Sequence, residues 1–203
     1  MFLRQYVVGP YQNFSYLVAD AEGGDAIVID PSFGIDALLD GIEESRVHVR
    51  FVLNTHSHAD HIAGNADVKA RTGAQVVAHR SAPFEIDRRV DDGDRVDAGG
   101  LHVEVLHTPG HTPDSVLYLF EGHAATGDTL FVGECGRTDL PGGDSGLLYD
   151  SLFGPVVRLS DATVILPGHD YGVTPTSTIG REKEENYVLQ PRTREEFIRF
   201  MGA

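Results

Sequence analysis

Cysteine is nearly missing from the chain: Cys135 is the single one among 203 residues, which excludes an internal disulfide and fits a reducing compartment. Basic residues are also scarce, with 16 Lys and Arg against 31 Asp and Glu and a formal charge of -15. Such a field repels phosphate backbones and anionic membrane surfaces, so neither nucleic acid nor a membrane is expected as a partner. General solubility or adaptation of the host explains the acidity more simply than a specific basic partner does. No apolar run approaches the length of a membrane span, and Met1 to Tyr6 lacks a basic segment followed by an apolar one, so a cytoplasmic protein is expected. No Pro- or Ser-rich linker, low-complexity segment or repeat divides the chain. With 41% hydrophobic and 23% charged residues, the composition is that of one globular domain, expected over residues 1–203.

What is present is concentrated in Thr55-His56-Ser57-His58-Ala59-Asp60-His61, which gathers imidazoles and a carboxylate into one turn of chain. These are ligands for zinc, iron and manganese, and their close spacing lets a short stretch of backbone aim them at one centre. The apolar run Phe51-Val52-Leu53 precedes the motif, so the candidate ligands stand where a buried strand ends. The competing reading, a solvated polar loop, suits a lone histidine or an HxH pair better than the full pattern.

The surrounding chain reads as follows. Leu3 to Val8, Phe14 to Val18 and Asp25 to Asp30 carry β-formers between Gly-Pro and Gly-Gly breaks, which predicts a small antiparallel sheet. Ile35, Leu38, Leu39 and Ile42 lie at the spacing of an amphipathic helix, and Val47 to Leu53 returns as a strand. Helix is predicted from Asp60 to Arg71, stopped by Thr72-Gly73, then strand from Gln75 to Ala78 and a turn at Asp91 to Asp94. Leu101 to Leu106 and Val116 to Phe120 predict strands, Ser145 to Leu159 a helix, and Thr163 to Leu166 a strand. Thr193-Arg194-Glu195-Glu196 has the spacing of a capping box and opens a helix with Phe197, Phe200 and Met201 on one face. Strands, helix, strand, helix, twice over, predict an α/β protein of two sheets, each covered by helices, with the ligands on loops along one edge.

Three further stretches set metal-competent groups at strand ends: Pro109-Gly110-His111, Gly127-Asp128 and Pro167-Gly168-His169. Singly each is a turn; in combination with the first motif they form a pattern. On these residues the chain resembles the metallo-β-lactamase superfamily along essentially its whole length, and the resemblance implies the αββα four-layer sandwich as a single domain. It also implies a first metal on His56, His58 and His111, a second on Asp60, His61 and His169, and Asp128 bridging both. No ligand position is substituted. The other histidines, His48, His79, His102, His107 and His123, read as surface or core residues. Two divalent ions, zinc first and iron or manganese as the other choices, lower the pKa of a shared water toward about 7 and make it a nucleophile. Asp60 and Asp128 are then the catalytic carboxylates; Asp60 serves as a ligand or as the orienter of the attacking oxygen, and the ligand role is preferred.

Gly127-Asp128-Thr129-Leu130-Phe131-Val132-Gly133-Glu134-Cys135-Gly136-Arg137 and Gln12-Asn13-Phe14-Ser15-Tyr16-Leu17 resemble glyoxalase II enzymes, as does Leu140-Pro141-Gly142-Gly143-Asp144 the short hydrolases like them. That implies hydrolysis of a thioester of glutathione or a similar small thiol, with Arg137 and Tyr171 as substrate-binding residues. An ordinary salt bridge is the equal alternative for Arg137, and a buried, inert thiol is the preferred reading of Cys135. The helical C-terminal extension of full-length glyoxalase II has no counterpart here, and Thr138-Asp139-Leu140 stands where that family has aromatics. Cys135-Gly136-Arg137-Thr138-Asp139, His169-Asp170-Tyr171, Ser177-Thr178, Asn186 and Glu196 to Met201 instead resemble persulfide dioxygenases. That branch would place a single Fe(II) on His56, His111 and Asp128 and oxidise glutathione persulfide to sulfite. The hydrolase is the first expectation and the dioxygenase the alternative. True β-lactamases, which are secreted, and nucleases fit less well. An oligomer is left open.

Overall fold

The computed structural model describes residues 1–202. Its first half is a mixed sheet. Strands β1 (Phe2–Val8), β2 (Asn13–Ala19) and β3 (Asp25–Ile29) form an antiparallel meander. Helix α1 (Asp36–Ser45) then crosses over, so β4 (His48–Leu53) runs parallel to β3. Two short helices, α2 (Ala59–Ile62) and α3 (Asn65–Thr72), lead to β5 (Gln75–His79), which continues the parallel pairing, with β6 (Arg88–Val90) at the edge. The second half repeats the scheme. Strands β7 (Arg95–Ala98), β8 (Leu101–His107), β9 (Val116–Phe120) and β10 (His123–Gly127) form a meander, and α4 (Ser145–Phe153) crosses to β11 (Val164–Pro167), parallel to β10. Strand β12 (Ser177–Thr178) closes the far edge, followed by α5 (Ile179–Glu185) and α6 (Arg194–Met201). Each sheet has six strands, in the orders β1-β2-β3-β4-β5-β6 and β12-β11-β10-β9-β8-β7.

Burial explains the layering. In β2, Phe14, Tyr16 and Val18 face the core between the sheets, while Leu17 and Ala19 face the helices. A strand buried on both faces loses the polar alternation of a one-sided sheet, which is why these runs read as continuously apolar. The central core joins Ile27, Ile29, Leu53 and Val77 to Val103, Val105, Tyr118 and Leu166. One outer core sets Leu38, Ile42 and Val68 against the first sheet; the other sets Leu148, Leu152 and Phe197 against the second. This is the expected αββα sandwich, a single domain. Truncating a side chain as enclosed as Leu38 to alanine would cost about 2–5 kcal/mol. No helix among the described residues is long and apolar enough to cross a membrane.

Several expectations need correction. The opening strands do not form a small separate sheet, because the free edge of β3 is taken by β4 and the sheet grows to six strands. The helix expected from Asp60 to Arg71 breaks at Ala63-Gly64. Gly64 donates its N–H to the Pro31 carbonyl at 2.8 Å, and a Cβ there would stand 2.8 Å from both Ile35 Cδ1 and Ser32 O, so the chain turns where backbone meets backbone. The helix expected to reach Leu159 stops at Phe153, since Gly154-Pro155 removes a donor and disfavours helical backbone, and a single 3-10 turn follows at Val156–Arg158. Strands β6 and β7 escape the pattern because charged residues supply their exposed face, and β12 with α5 has too few apolar positions to show a period. The capping box forms: Thr193 and Glu196 satisfy each other's backbone N–H.

Candidate metal centre

The ends of β4, β8, β10 and β11 open onto one edge of the sandwich, and the loops that leave them carry the candidate ligands. Beyond β4, Asn54 fixes the turn by donating from its side chain to the His61 carbonyl at 3.0 Å, while its own carbonyl accepts from the Tyr118 hydroxyl at 3.0 Å. Thr55 is held from below by Asp30, whose carboxylate accepts from Thr55 N–H at 2.7 Å and from its hydroxyl at 2.6 Å. Close packing of these loops needs glycine. At Gly127, where φ is +48°, a Cβ would stand 2.4 Å from Thr55 Oγ1, and at Gly168 it would stand 2.3 Å from Asp128 Oδ1.

The side chains gather into two groups. His58 Nδ1 lies 3.1 Å from His56 Nε2 and 2.9 Å from His111 Nε2. In the other group His61 Nε2 and His169 Nε2 face each other at 3.2 Å, with Asp60 Oδ2 at 3.6 and 3.5 Å from them. Asp128 stands between the groups, with Oδ1 3.3 Å from His61 Nε2 and Oδ2 3.5 Å from His111 Nε2 and 3.4 Å from His169 Nε2. The structure thus brings together every candidate ligand named from the sequence. The remaining histidines lie elsewhere; His79 and His107 stack on each other at 4.1 Å between ring centroids.

The outer nitrogens show what the inner ones are for. His111 Nδ1–H donates to the Arg137 carbonyl at 2.7 Å, and His169 Nδ1–H to the Tyr11 carbonyl at 2.9 Å. A carbonyl only accepts, so in each neutral ring the proton sits on Nδ1 and a bare lone pair on Nε2 points inward. Lone pairs that face one another repel unless a cation or a proton lies between them. Asp128 Oδ1 is buried with no hydrogen-bond donor, a deficit that a metal ion would remove. Imidazole and carboxylate donors in this arrangement fit zinc, iron or manganese.

Charge divides the histidines. Burial, followed by the neighbouring His61, pushes His56 well below the ordinary histidine range, and burial followed by His111 lowers His58. Burial opposes charge on His61 as well, but Asp128, Asp30 and Asp60 outweigh it and lift its pKa to about 9. His169 is raised in the same way by Asp128, against burial. Burial alone would raise Asp128, yet the surrounding imidazoles hold it far below the usual carboxylate range. The negative potential that draws protons onto His61 and His169 is the one a divalent cation would use.

Sequence reasoning passed over Asp30. It is buried, and its carboxylate accepts from His61 Nδ1 at 3.0 Å as well as from Thr55, which fixes the tautomer that leaves Nε2 free for the centre. Its signal was present, an acid directly after an apolar strand, as at Asp128. Asn13 was noted only for a resemblance; its side chain donates to Asp60 Oδ2 at 2.9 Å.

A cavity of about 570 Å³ opens above the centre, lined by Tyr11, Phe33, Arg137, Leu140 and Tyr171. Tyr171 is 54% exposed and stacks on the His169 ring at 4.6 Å. Arg137 reaches the cavity, but its Nε and Nη2 donate to the two carboxylate oxygens of Asp139 at 2.5 and 2.6 Å. Cys135 is buried against Met201, and burial pushes its thiol up to about 12, in keeping with an inert side chain.

Comparison with known proteins places these features. The model of the metallo-beta-lactamase superfamily matches residues 8–169. Human persulfide dioxygenase ETHE1, mitochondrial, is 36% identical over 211 residues, spanning 100% of this chain and 81% of that protein. The hydroxyacylglutathione hydrolase of Anaeromyxobacter dehalogenans is 42% identical over 161 residues, spanning 78% of this chain and 62% of its own length. The crystal structure of ETHE1 from Myxococcus xanthus superposes with a TM-score of 0.94 at 37% identity, covering 100% of this chain and 90% of that one.

Proposed function

From the premise that the chain belongs to the metallo-beta-lactamase superfamily, we propose that it is a persulfide dioxygenase with a single iron, the second of the two activities expected from its sequence. The observation that carries this reading is the match to persulfide dioxygenases along the whole chain, at sequence and structure level, where the hydrolase match spans 78%. The C-terminal segment supports it physically. Asn186 Nδ2 donates to the Glu134 carbonyl at 3.2 Å, and Glu182 accepts from Gly133 N–H at 2.8 Å. These residues hold the loop from Phe131 to Arg137, whose last carbonyl orients His111.

His56, His111 and Asp128 would hold the iron, a two-histidine, one-carboxylate set that leaves coordination positions open. Ferrous iron, when bound, supplies the redox chemistry that lets dioxygen react with an anionic sulfur. The reaction balances with one persulfide, one dioxygen and one water giving one thiol, one sulfite and two protons. The S–S bond breaks, three S–O bonds result, and the outer sulfur loses the four electrons that dioxygen gains.

The chain's own residues prepare this. Arg137 O and Thr55 Oγ1 set the ring orientations of His111 and His56, and Asp30 sets that of His61. Asp60, partly exposed at the cavity floor and held by Asn13, offers a carboxylate oxygen to a proton leaving the persulfide or water. Tyr11, Phe33 and Tyr171 screen the approach from bulk solvent.

The competing reading, a thioester hydrolase of the hydroxyacylglutathione type, is favoured by the second donor group, Asp60, His61 and His169, which is complete enough for a second ion. Oxygen uptake by anaerobically iron-loaded protein, with several low-molecular-weight persulfides offered in turn, tests the proposal. Enzyme-dependent uptake that yields sulfite is the expected result. No uptake with any persulfide from protein that retains its iron, together with hydrolysis of an acyl thioester, would overturn it.

A further inference from the structure

The turn that carries His56 and His58 leaves β4 of the first sheet, whereas the loop with His111 leaves β8 of the second. Rings set on two different sheets share one ion only if something fixes the separation of their loops. Two cross-links do so, one on each side of His56. The Val116 N–H donates to the Thr55 carbonyl at 2.8 Å, and the Ser57 hydroxyl donates to Asp114 Oδ1 at 3.0 Å. Between Asp114 and His111 the loop is braced from within. Ser115 Oγ accepts from Thr112 N–H at 3.2 Å and lies 2.8 Å from the Thr112 hydroxyl, while Thr108 N–H donates to the Ser115 carbonyl at 2.9 Å. A displacement at Asp114 is therefore passed on to His111.

The surroundings of Asp114 are unusual for a carboxylate. It is 3% exposed, the Ser57 hydroxyl is its one hydrogen-bond donor among the described residues, and Oδ2 is buried with none. No Lys or Arg among those residues pairs with it. Nor does the imidazole behind it compensate: burial, and after it the stacked His107, lowers His79 from the ordinary histidine range against the pull of Asp91 and Asp114. His107 uses its Nε2–H on the Pro113 carbonyl at 2.9 Å. A carboxylate buried on a single hydroxyl opposes folding, and an apolar side chain would cost less there. A deficit of this kind in a native fold calls for a role outside packing.

We propose that Asp114 is a positioning residue for the metal centre: through Ser57 it ties the His56 turn to the His111 loop and sets the geometry in which the two rings meet one ion. The proposal goes beyond the dioxygenase reading and rests only on its premise that His56 and His111 hold a metal, a premise the hydrolase reading shares. Because the strap acts before the ion arrives, its loss lowers affinity and loosens the coordination geometry.

The test uses the full chain with Ser57→Ala, Asp114→Ala, both together, and Asp114→Asn, which keeps an oxygen to accept from Ser57. Ferrous iron affinity is measured anaerobically by chelator competition, the coordination geometry from the visible absorption of cobalt(II)-loaded protein, and the stability of metal-free protein by urea unfolding. Ser57→Ala and Asp114→Ala should each weaken iron binding about tenfold and shift the cobalt bands. The double variant should bind no more weakly than Asp114→Ala, since both changes break one link. Asp114→Asn should return the parent's bands and an affinity within about threefold of it. Parental affinity and bands in Ser57→Ala would overturn the proposal, as would an Asp114→Asn protein as impaired as Asp114→Ala, or variants that lose urea stability alone. Should Asp114→Ala not fold, Ser57→Ala and Asp114→Asn still decide the matter. Absence of sulfite formation by the parent would end the dioxygenase reading and leave these metal measurements standing.

Discussion

Asp30→Asn is a near-isosteric change that separates positioning from ligation at the metal centre. The carboxylate accepts from Thr55 N–H at 2.7 Å, Thr55 Oγ1 at 2.6 Å and His61 Nδ1 at 3.0 Å, with no water to replace a lost partner because His61 and Thr55 are both buried. In the variant the amide oxygen can keep the Thr55 N–H, but the NH2 group then faces His61 Nδ1. That nitrogen must turn acceptor, which moves the ring proton to Nε2 and blocks the lone pair aimed at the centre. Restoring the ligating tautomer costs about 1–3 kcal/mol, so affinity for a metal held by His61 should fall by about 10- to 100-fold. Loss of the buried ionic hydrogen bond should also destabilise the metal-free fold by about 3 kcal/mol. Chelator competition measures the first and urea unfolding at neutral pH the second. A variant that holds a divalent ion at the Asp60, His61 and His169 group as tightly as the parent and unfolds at the same urea concentration would refute the argument that Asp30 sets the His61 tautomer.

Asp128→Ala removes the carboxylate shared by both donor groups, and loss of bound metal together with at least a hundredfold loss of turnover is expected; metal analysis beside rate measurement checks it. In metal-free protein His61 has a folded pKa of about 9 against an ordinary value of 6.5, so its contribution to stability is full below pH 6.5 and is lost as pH rises through 9. Metal affinity at the His61 group should run the other way, rising toward pH 9 as the competing proton leaves; urea melts and chelator titrations across that range would expose either sign as wrong. Cys135 should react with thiol reagents orders of magnitude more slowly in the folded protein than in urea, and Cys135→Ala should keep its turnover, because the thiol is buried and its pKa is about 12.

Local chemistry explains why so much of the centre is legible in the chain itself. The candidate ligands stand in the loops that follow apolar strands, so strand ends and ligands are read together, and the strands themselves stand out because both faces of β2, β3 and the end of β4 are buried. The order of strands and helices likewise implies the layered sandwich. Elements whose outer face is charged, such as β6 and β7, leave no comparable trace. The breaks at Gly64 and Gly154-Pro155 depend partly on what the chain meets in space, the Pro31 carbonyl in the first case.

The sequence by itself offered the candidate donors, His56, His58, Asp60, His61, His111, Asp128 and His169, through strand-end motifs and the family they resemble, and the family is the one the family model matches. Tertiary structure alone decided that Asp30 grips His61 and that His61 and His56 are driven to opposite charge states. Those outcomes rest on distances of about 3 Å and on burial. Both arise only when loops far apart in the chain are brought to one edge of the sandwich, so no local pattern records them.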